Sequence, residues 1–153
     1  MIRVQKELFD IGAELTALSQ GRTDIGAVAS FTGLVRDIAG GRAVSAMTLE
    51  HYPGMTEKKL GEIEAEAKLR WPLQASLIIH RYGKMEPGEP IVLVAAASKH
   101  RGAALEACAF LMDWLKTKAP FWKLEEGDGD AAWVDARLSD DEAAARWSPP
   151  ATG

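Results

Sequence analysis

Residues 98–123 read SKHRGAALEACAFLMDWLKTKAPFWK, and the fold is decided by what this stretch does. Ala104, Cys108, Leu111 and Leu115 recur at i, i+4, i+7 and i+11, the spacing of a helix with one apolar stripe turned to a core. Ser98 is the expected N-cap, and Pro120 ends the helix by pushing Ala119 out of helical geometry. The chemistry sits at the two ends. His100 and Arg101 fall in the first turn, where unpaired N–H groups and the helix dipole favour an anion. Lys116 and Lys118 fall in the last turn, and Lys123 lies just past the break. Five cations (Lys99, Arg101, Lys116, Lys118, Lys123) stand against Glu106 and Asp113, a net +3 inside a chain of net −4. A cationic island in an acidic protein signals a binding site. Plainer uses exist for each residue: last-turn lysines suit the dipole, a helix start is often merely solvated, and Cys108 lies on the core stripe.

Sixteen helical steps separate His100 from Lys116, roughly 24 Å at about 1.5 Å each. The two ends of one helix therefore cannot touch one small ligand. Either there are two sites, or one pocket combines ends from two copies of the chain, as a symmetric dimer would supply twice.

Outside that stretch the chain sets broad bounds. Its 153 residues suffice for one domain with a proper core, expected over 1–147, with a disordered tail over 148–153. A pI near 5.4 argues against general nucleic-acid binding. One cysteine excludes an internal disulfide and fits a reducing compartment. No apolar run approaches the length of a membrane span, and MIRVQKELFD lacks a signal-peptide pattern, so a cytoplasmic protein is expected.

In chain order, Ile2 to Leu8 alternates as a short strand, and Asp10 caps a helix to about Ser19, closed by Gly21. Ile25 to Val35 is β-rich and expected to be a central strand. The loop 37–42, DIAGGR, leads to a strand over 43–51 and a turn at Tyr52-Pro53-Gly54. Thr56 to Arg70 is amphipathic, with Leu60, Ile63, Ala67 and nearby Leu69 on one side. Strands follow over 74–81 and 89–97, joined by the loop YGKMEPG, and over 121–125 and 132–136, around EEGDGD. Ser139 is expected to cap a last helix. Paired strands between helices demand hairpins, so the fold class is α+β rather than a doubly wound parallel sheet.

Several chemistries are set aside. His51, His80 and His100 lack the spacing and cysteine partners of a zinc site, so no metal is expected, and no cofactor. No phosphate-binding loop or nucleophile elbow is present. His51 and His80 read as structural or strand-face histidines. What is left is a set of cations: Arg36, Arg42, His100, Arg101, Lys116, Lys118, Lys123 and Arg137. Arginines at strand ends and at a helix start grip phosphate by charge-assisted, often bidentate bonds. A lysine among other cations is suited to proton transfer or to acting as a nucleophilic amine. The residues alone lead to an anionic, phosphorylated ligand in a dimer-interface pocket.

The segments FTGLVR (31–36), LEHYPGM (49–55), HRYG (80–83), SKHR (98–101), LKTKAPFWK (115–123) and WVDAR (133–137) resemble the large, catalytic subunit of molybdopterin synthase. They span nearly the whole chain in family order. The resemblance implies an α/β hammerhead-type fold with an additional antiparallel β subdomain. It implies conversion of cyclic pyranopterin monophosphate (precursor Z) to the molybdopterin dithiolene. The sulfur would come from the C-terminal Gly-Gly thiocarboxylate of a small ubiquitin-like subunit, and two large subunits would form the homodimer core of a heterotetramer. Carried over by motif, Lys116 and Lys123 are the catalytic pair. Arg36, His100 and Arg101 bind substrate and its phosphate, and Arg137 reaches in from the neighbouring subunit. This chain departs at Leu124, where relatives often have a basic residue, and at Lys99, where many have a small one. Two other readings compete: a scaffold that docks a ubiquitin-like protein without catalysis, and a phosphate-ligand-binding regulatory domain.

Overall fold

The computed structural model describes residues 1–39, 41–127, 130–134 and 138–148, and of residues 39, 42, 130–134, 138 and 139 the backbone alone. Its elements run β1 (Ile2–Gln5), α1 (Ile11–Ser19), β2 (Ala27–Leu34), β3 (Ile38–Ala39), β4 (Arg42–Ala43), β5 (Ala46–His51) and α2 (Met55–Arg70). They continue with β6 (Leu73–Arg81), β7 (Gly83–Met85), β8 (Pro90–Ser98), α3 (Arg101–Lys118), β9 (Phe121–Gly127), β10 (Asp130–Val134) and α4 (Leu138–Ala145).

Two four-stranded sheets carry the architecture. The first has the order β1-β6-β8-β2, with β1 parallel to β6 and the other pairs antiparallel. The second, β10-β9-β5-β7, is antiparallel throughout and is the β subdomain the resemblance implied. Strand β8 reads as a nearly unbroken apolar run, and β6 as one over Leu77, Ile78 and Ile79, because both faces of the first sheet are covered. On one face Ile78, Val92, Val94 and Ala96 pack against α2 and α3, around a fully buried Phe110. On the other face Leu77, Ile79, Leu93 and Ala95 pack against Ile11, Leu15 and Leu18 of α1. A third cluster, Val35, Met47, Leu49 and Met85, fills the space beneath the second sheet.

The stripe on α3 is buried as its spacing requires: Ala104, Cys108, Leu111 and Leu115 are each at most 7% exposed. The helix stops where Pro120 demands it. Ala119 is extended (φ −79°, ψ 134°), and its N–H makes the last helical bond, to Leu115 O. At its outer face Asp113 accepts from the Arg146 guanidinium at 2.7 Å and from Trp147 Nε1 at 2.6 Å. Trp147 also packs edge-on to Phe110 and Trp71, so the C-terminal helix α4 is stapled across α3.

Several expectations need correction. Ser98 is not a cap: it ends β8, and its hydroxyl donates to Pro72 O at 2.9 Å. The N-cap is His100, with no side-chain capping bond, because β8 claims the serine before the helix begins. Strand β2 lies at the edge of its sheet, since nothing in a strand's own composition fixes its neighbours. Residues 83–85, expected as loop, form β7 and pair with β5; within the loop 37–42, β3 and β4 pair as a short hairpin. Leu69 is 83% exposed rather than on the buried side of α2. Helix α4 begins at Leu138, so Ser139 lies inside it. Of the expected tail, Ser148 still bonds Ala145 O through its N–H, and 149–153 lie outside the described residues. No helix among the described residues is long and apolar enough to cross a membrane.

A pair of stacked rings is among the contacts that join the two sheets. Alternation along β6 turns His80 to the same face as Ile78, toward α3, and there it stacks on Phe121 of β9. Their rings lie 3.7 Å apart at 16°. His80 is 5% exposed, and burial holds its pKa down, from 6.5 to about 4, with Lys116 and His51 opposing its charge further.

Two predictions follow from packing. A Cβ on Gly26 would lie 2.1 Å from the Lys99 carbonyl oxygen, so Gly26→Ala must displace the β8–α3 connection. It is expected to cost about 2 kcal/mol, read as a lowered urea midpoint with an unchanged m-value. The unfolded chain takes up the His80 proton near pH 6.5 and the folded chain only near 4. This contribution to stability is therefore complete above pH 6.5 and is lost as pH falls toward 4, by on the order of 3 kcal/mol. Urea melts at pH 7 and 4.5 should show that loss in the wild type and a smaller one in His80→Phe.

Candidate active site

A cavity of about 570 Å³ opens between the two sheets, over the end of α3. Its wall on the first sheet is one transverse row: His80 pairs with Val92, and Val92 with Gly33. The row is open at its β2 end because Gly33 has no side chain; a Cβ there would meet Val92 Cγ1 at 2.8 Å. The second sheet contributes Met47 and Leu49 from β5 and Phe121 and Lys123 from β9. Helix α3 supplies Leu115 and Lys116, β2 and its exit supply Phe31, Leu34 and Arg36, and α4 brings Asp140.

The cations reach this cavity by three local rules. Lys116 and Lys118 are two residues apart on a helix and so point to different sides. Lys116 lines the cavity, whereas Lys118 Nζ lies 4.5 Å from the Trp114 ring centroid, in the groove between α2 and α3. On β9 alternation turns Phe121, Lys123 and Glu125 to one face and Trp122, Leu124 and Glu126 to the other. Arg36 follows the irregular end of β2, where a register shift at Gly33–Leu34 breaks the ladder.

Electrostatically the cavity holds a cationic cluster within apolar walls. Glu125, 8% exposed, lies 3.8 Å from Lys123 Nζ, so one lysine has a buried carboxylate beside it. The histidines nearby have fixed tautomers. His80 Nδ1 lies 2.9 Å from Arg81 O, and since a carbonyl only accepts, Nδ1 carries the proton. The Thr56 hydroxyl donates to Tyr52 O and so accepts from His51 Nδ1 at 3.0 Å. Cys108 belongs to a different place. Its thiol sits in the core, 3.9 Å from Val94 O, and burial pushes its pKa up to about 11, so it is neither ionised nor near the cavity.

Of the six residues singled out from the sequence, the structure brings three together: Arg36, Lys116 and Lys123. His100 and Arg101 are exposed at the opposite end of α3 and do not reach the cavity of their own chain. Arg137 lies outside the described residues, as does the side chain of Arg42. Sequence reasoning read His80 as structural, placed the acidic turn that begins at Glu125 close to the site without giving it a role, and passed over Asp140. The strand period on β9 could have paired Glu125 with Lys123, but no spacing in the chain links His80 or Asp140 to Lys116.

Comparison with known proteins fits this geometry. The sequence profile of the MoaE protein family matches residues 4–118. A molybdopterin synthase catalytic subunit of Ralstonia nicotianae is 60% identical over 146 residues, covering 95% of this chain and 83% of that protein. Its counterpart in Pseudomonas aeruginosa is 58% identical over 146 residues, covering 95% and 97%. Among solved structures, the molybdopterin biosynthesis MoaE protein of Burkholderia ambifaria superposes with a TM-score of 0.82 at 52% identity, over 96% of this chain and 97% of that one. Molybdopterin synthase from Staphylococcus aureus gives 0.80 at 29% identity, over 87% and 96%. With most of its length matched, at more than half identity, the chain belongs to the MoaE family of molybdopterin synthase catalytic subunits.

Proposed function

We propose that this protein is the sulfur-transferring catalytic subunit of a cytoplasmic molybdopterin synthase. It moves sulfur from the C-terminal thiocarboxylate of a small ubiquitin-like subunit to cyclic pyranopterin monophosphate, giving the molybdopterin dithiolene. The observation that carries the reading is the convergence of Arg36, Lys116 and Lys123 on one cavity from the exit of β2, the end of α3 and β9. Arg36 grips the anionic end of the substrate, bidentately where geometry allows. Lys116 and Lys123 face the reacting carbons, stabilise the negative charge that develops as sulfur attacks, and carry protons to and from the substrate. The incoming sulfur belongs to the partner's thiocarboxylate, because the chain's one thiol is buried and protonated.

His100 and Arg101 serve the same reaction from a second copy of the chain. They stand exposed at a helix start with no acidic residue in its first turn and no capping side chain, a surface suited to phosphate. Roughly 24 Å of helix separates them from their own Lys116, so the pocket they complete is the partner's. Arg137 is assigned to the same cross-subunit role. The assembly is a homodimer of this chain with one small subunit at each end.

A single-turnover reaction with cyclic pyranopterin monophosphate and a thiocarboxylated partner, followed by mass spectrometry, tests the site. Lys116→Ala and Lys123→Ala are each expected to slow product formation by 10²-fold or more, of the order of lost acid–base assistance. Arg36→Ala should chiefly weaken substrate binding. Wild-type rates in both lysine variants would overturn the assignment, and a stable complex without product from the wild type would leave a scaffold. Mixing Lys123→Ala with His100→Ala chains should restore about a quarter of the wild-type sites, since half the dimers are mixed and each carries one intact pocket. No recovery would place His100 in the same pocket as its own Lys123, and a wild-type rate from His100→Ala chains alone would place it in none.

A further inference from the structure

The mechanism leaves one buried titratable group in the cavity wall without a role. His80 lines the same cavity as Lys116, turned toward α3 by the alternation that places Ile78 in the core. Its ring is held on three sides. Phe121 stacks on one face at 3.7 Å, the Arg81 carbonyl fixes Nδ1 at 2.9 Å, and Val4 and Val92 flank it across the sheet. A histidine in a position that otherwise needs only an apolar residue has one more polar atom to use, Nε2.

We propose that His80 is a positioning residue for Lys116: its ring, fixed as the Nδ1–H tautomer, presents the Nε2 lone pair as the acceptor that holds the lysine head in the cavity. The inference rests on Lys116 acting in the reaction. A lysine head on a four-carbon stem is a mobile point charge, and holding it reduces the geometries it must search. The acceptor has to stay uncharged for this to work, and its surroundings see to that. Burial opposes protonation most, Lys116 from α3 and His51 from β5 add to it, Lys123 from β9 and Arg36 beyond β2 line the same cavity, and Asp140 from α4 is the opposite charge facing them there. Phe121 ties the arrangement to the helix break, since its position follows directly on Pro120.

The test compares wild type with His80→Gln, His80→Phe and Lys116→Ala in single turnover with the thiocarboxylated partner, across pH 6 to 10. His80→Phe keeps the stack and loses the acceptor; it should lower the rate about tenfold and move the basic limb of the pH profile, with substrate affinity unchanged. His80→Gln restores an acceptor and should recover most of that loss. Wild-type rate and pH profile in His80→Phe, beside a slow Lys116→Ala, would overturn the inference and leave the lysine assignment standing. Wild-type rate in Lys116→Ala would overturn the lysine assignment and this inference with it. Should His80→Phe fold poorly, ¹⁵N spectra of the three imidazoles decide instead. The His80 Nε2 resonance should shift in Lys116→Met, and an unmoved resonance would overturn the proposal.

Discussion

Pro120 is the constraint on which the site depends. With no N–H to donate, and with the preceding residue barred from helical geometry, it forces the chain out of α3 within one peptide. The next residues enter β9, and the change of period from 3.6 to 2 then aims alternate side chains at the space just vacated. Lys116 before the break and Lys123 after it come to line the same cavity from a helix and a strand, whereas an unbroken helix would hold them about two turns, roughly 10 Å, apart along its axis. Phe121, fixed between them, meets His80 and closes the second sheet onto the first. One imino acid thus sets the end of the longest helix, the start of a strand, and the junction between the sheets.

The cavity works electrostatically because its neighbours are kept quiet. Gathering Arg36, Lys116 and Lys123 among apolar side chains is costly unless counter-charge or ligand is at hand, and Glu125 beside Lys123 supplies part of it. His80 would make matters worse if it charged, and burial keeps it neutral. Cys108 illustrates the same rule in reverse. In the core its thiol behaves as a small hydrophobe, which leaves sulfur chemistry to whatever enters the cavity from outside.

The outer shell of α3 is equally economical. Asp113 anchors Arg146 and Trp147, so that the last helix lies across α3 and carries Asp140 to the cavity rim. The first turn of α3, by contrast, is left uncapped and exposed, with His100 and Arg101 beside it. An uncapped helix start is a standing demand for hydrogen-bond acceptors, and the side chain of its N-cap, His100, does not meet it.

Much of this was legible in the residues. Period and punctuation decide local structure, so α3, its buried stripe and its end at Pro120 could be read directly, as could the α+β class. The cationic island and the distance along α3 were also fixed by composition and helical rise. Other features are decided by what the chain meets after folding. Ser98 has the right chemistry for a cap but is taken by a strand. Strand β2 has the composition of a central strand and lies at an edge. His80 belongs to the HRYG segment, but nothing along the strand shows what it meets, because Phe121 and Lys116 come from β9 and α3. Local sequence determines which elements form and which faces they bury, since those preferences act over one or two turns. Only the tertiary structure decides which charged side chains share a cavity, since that depends on distances between elements far apart in the chain.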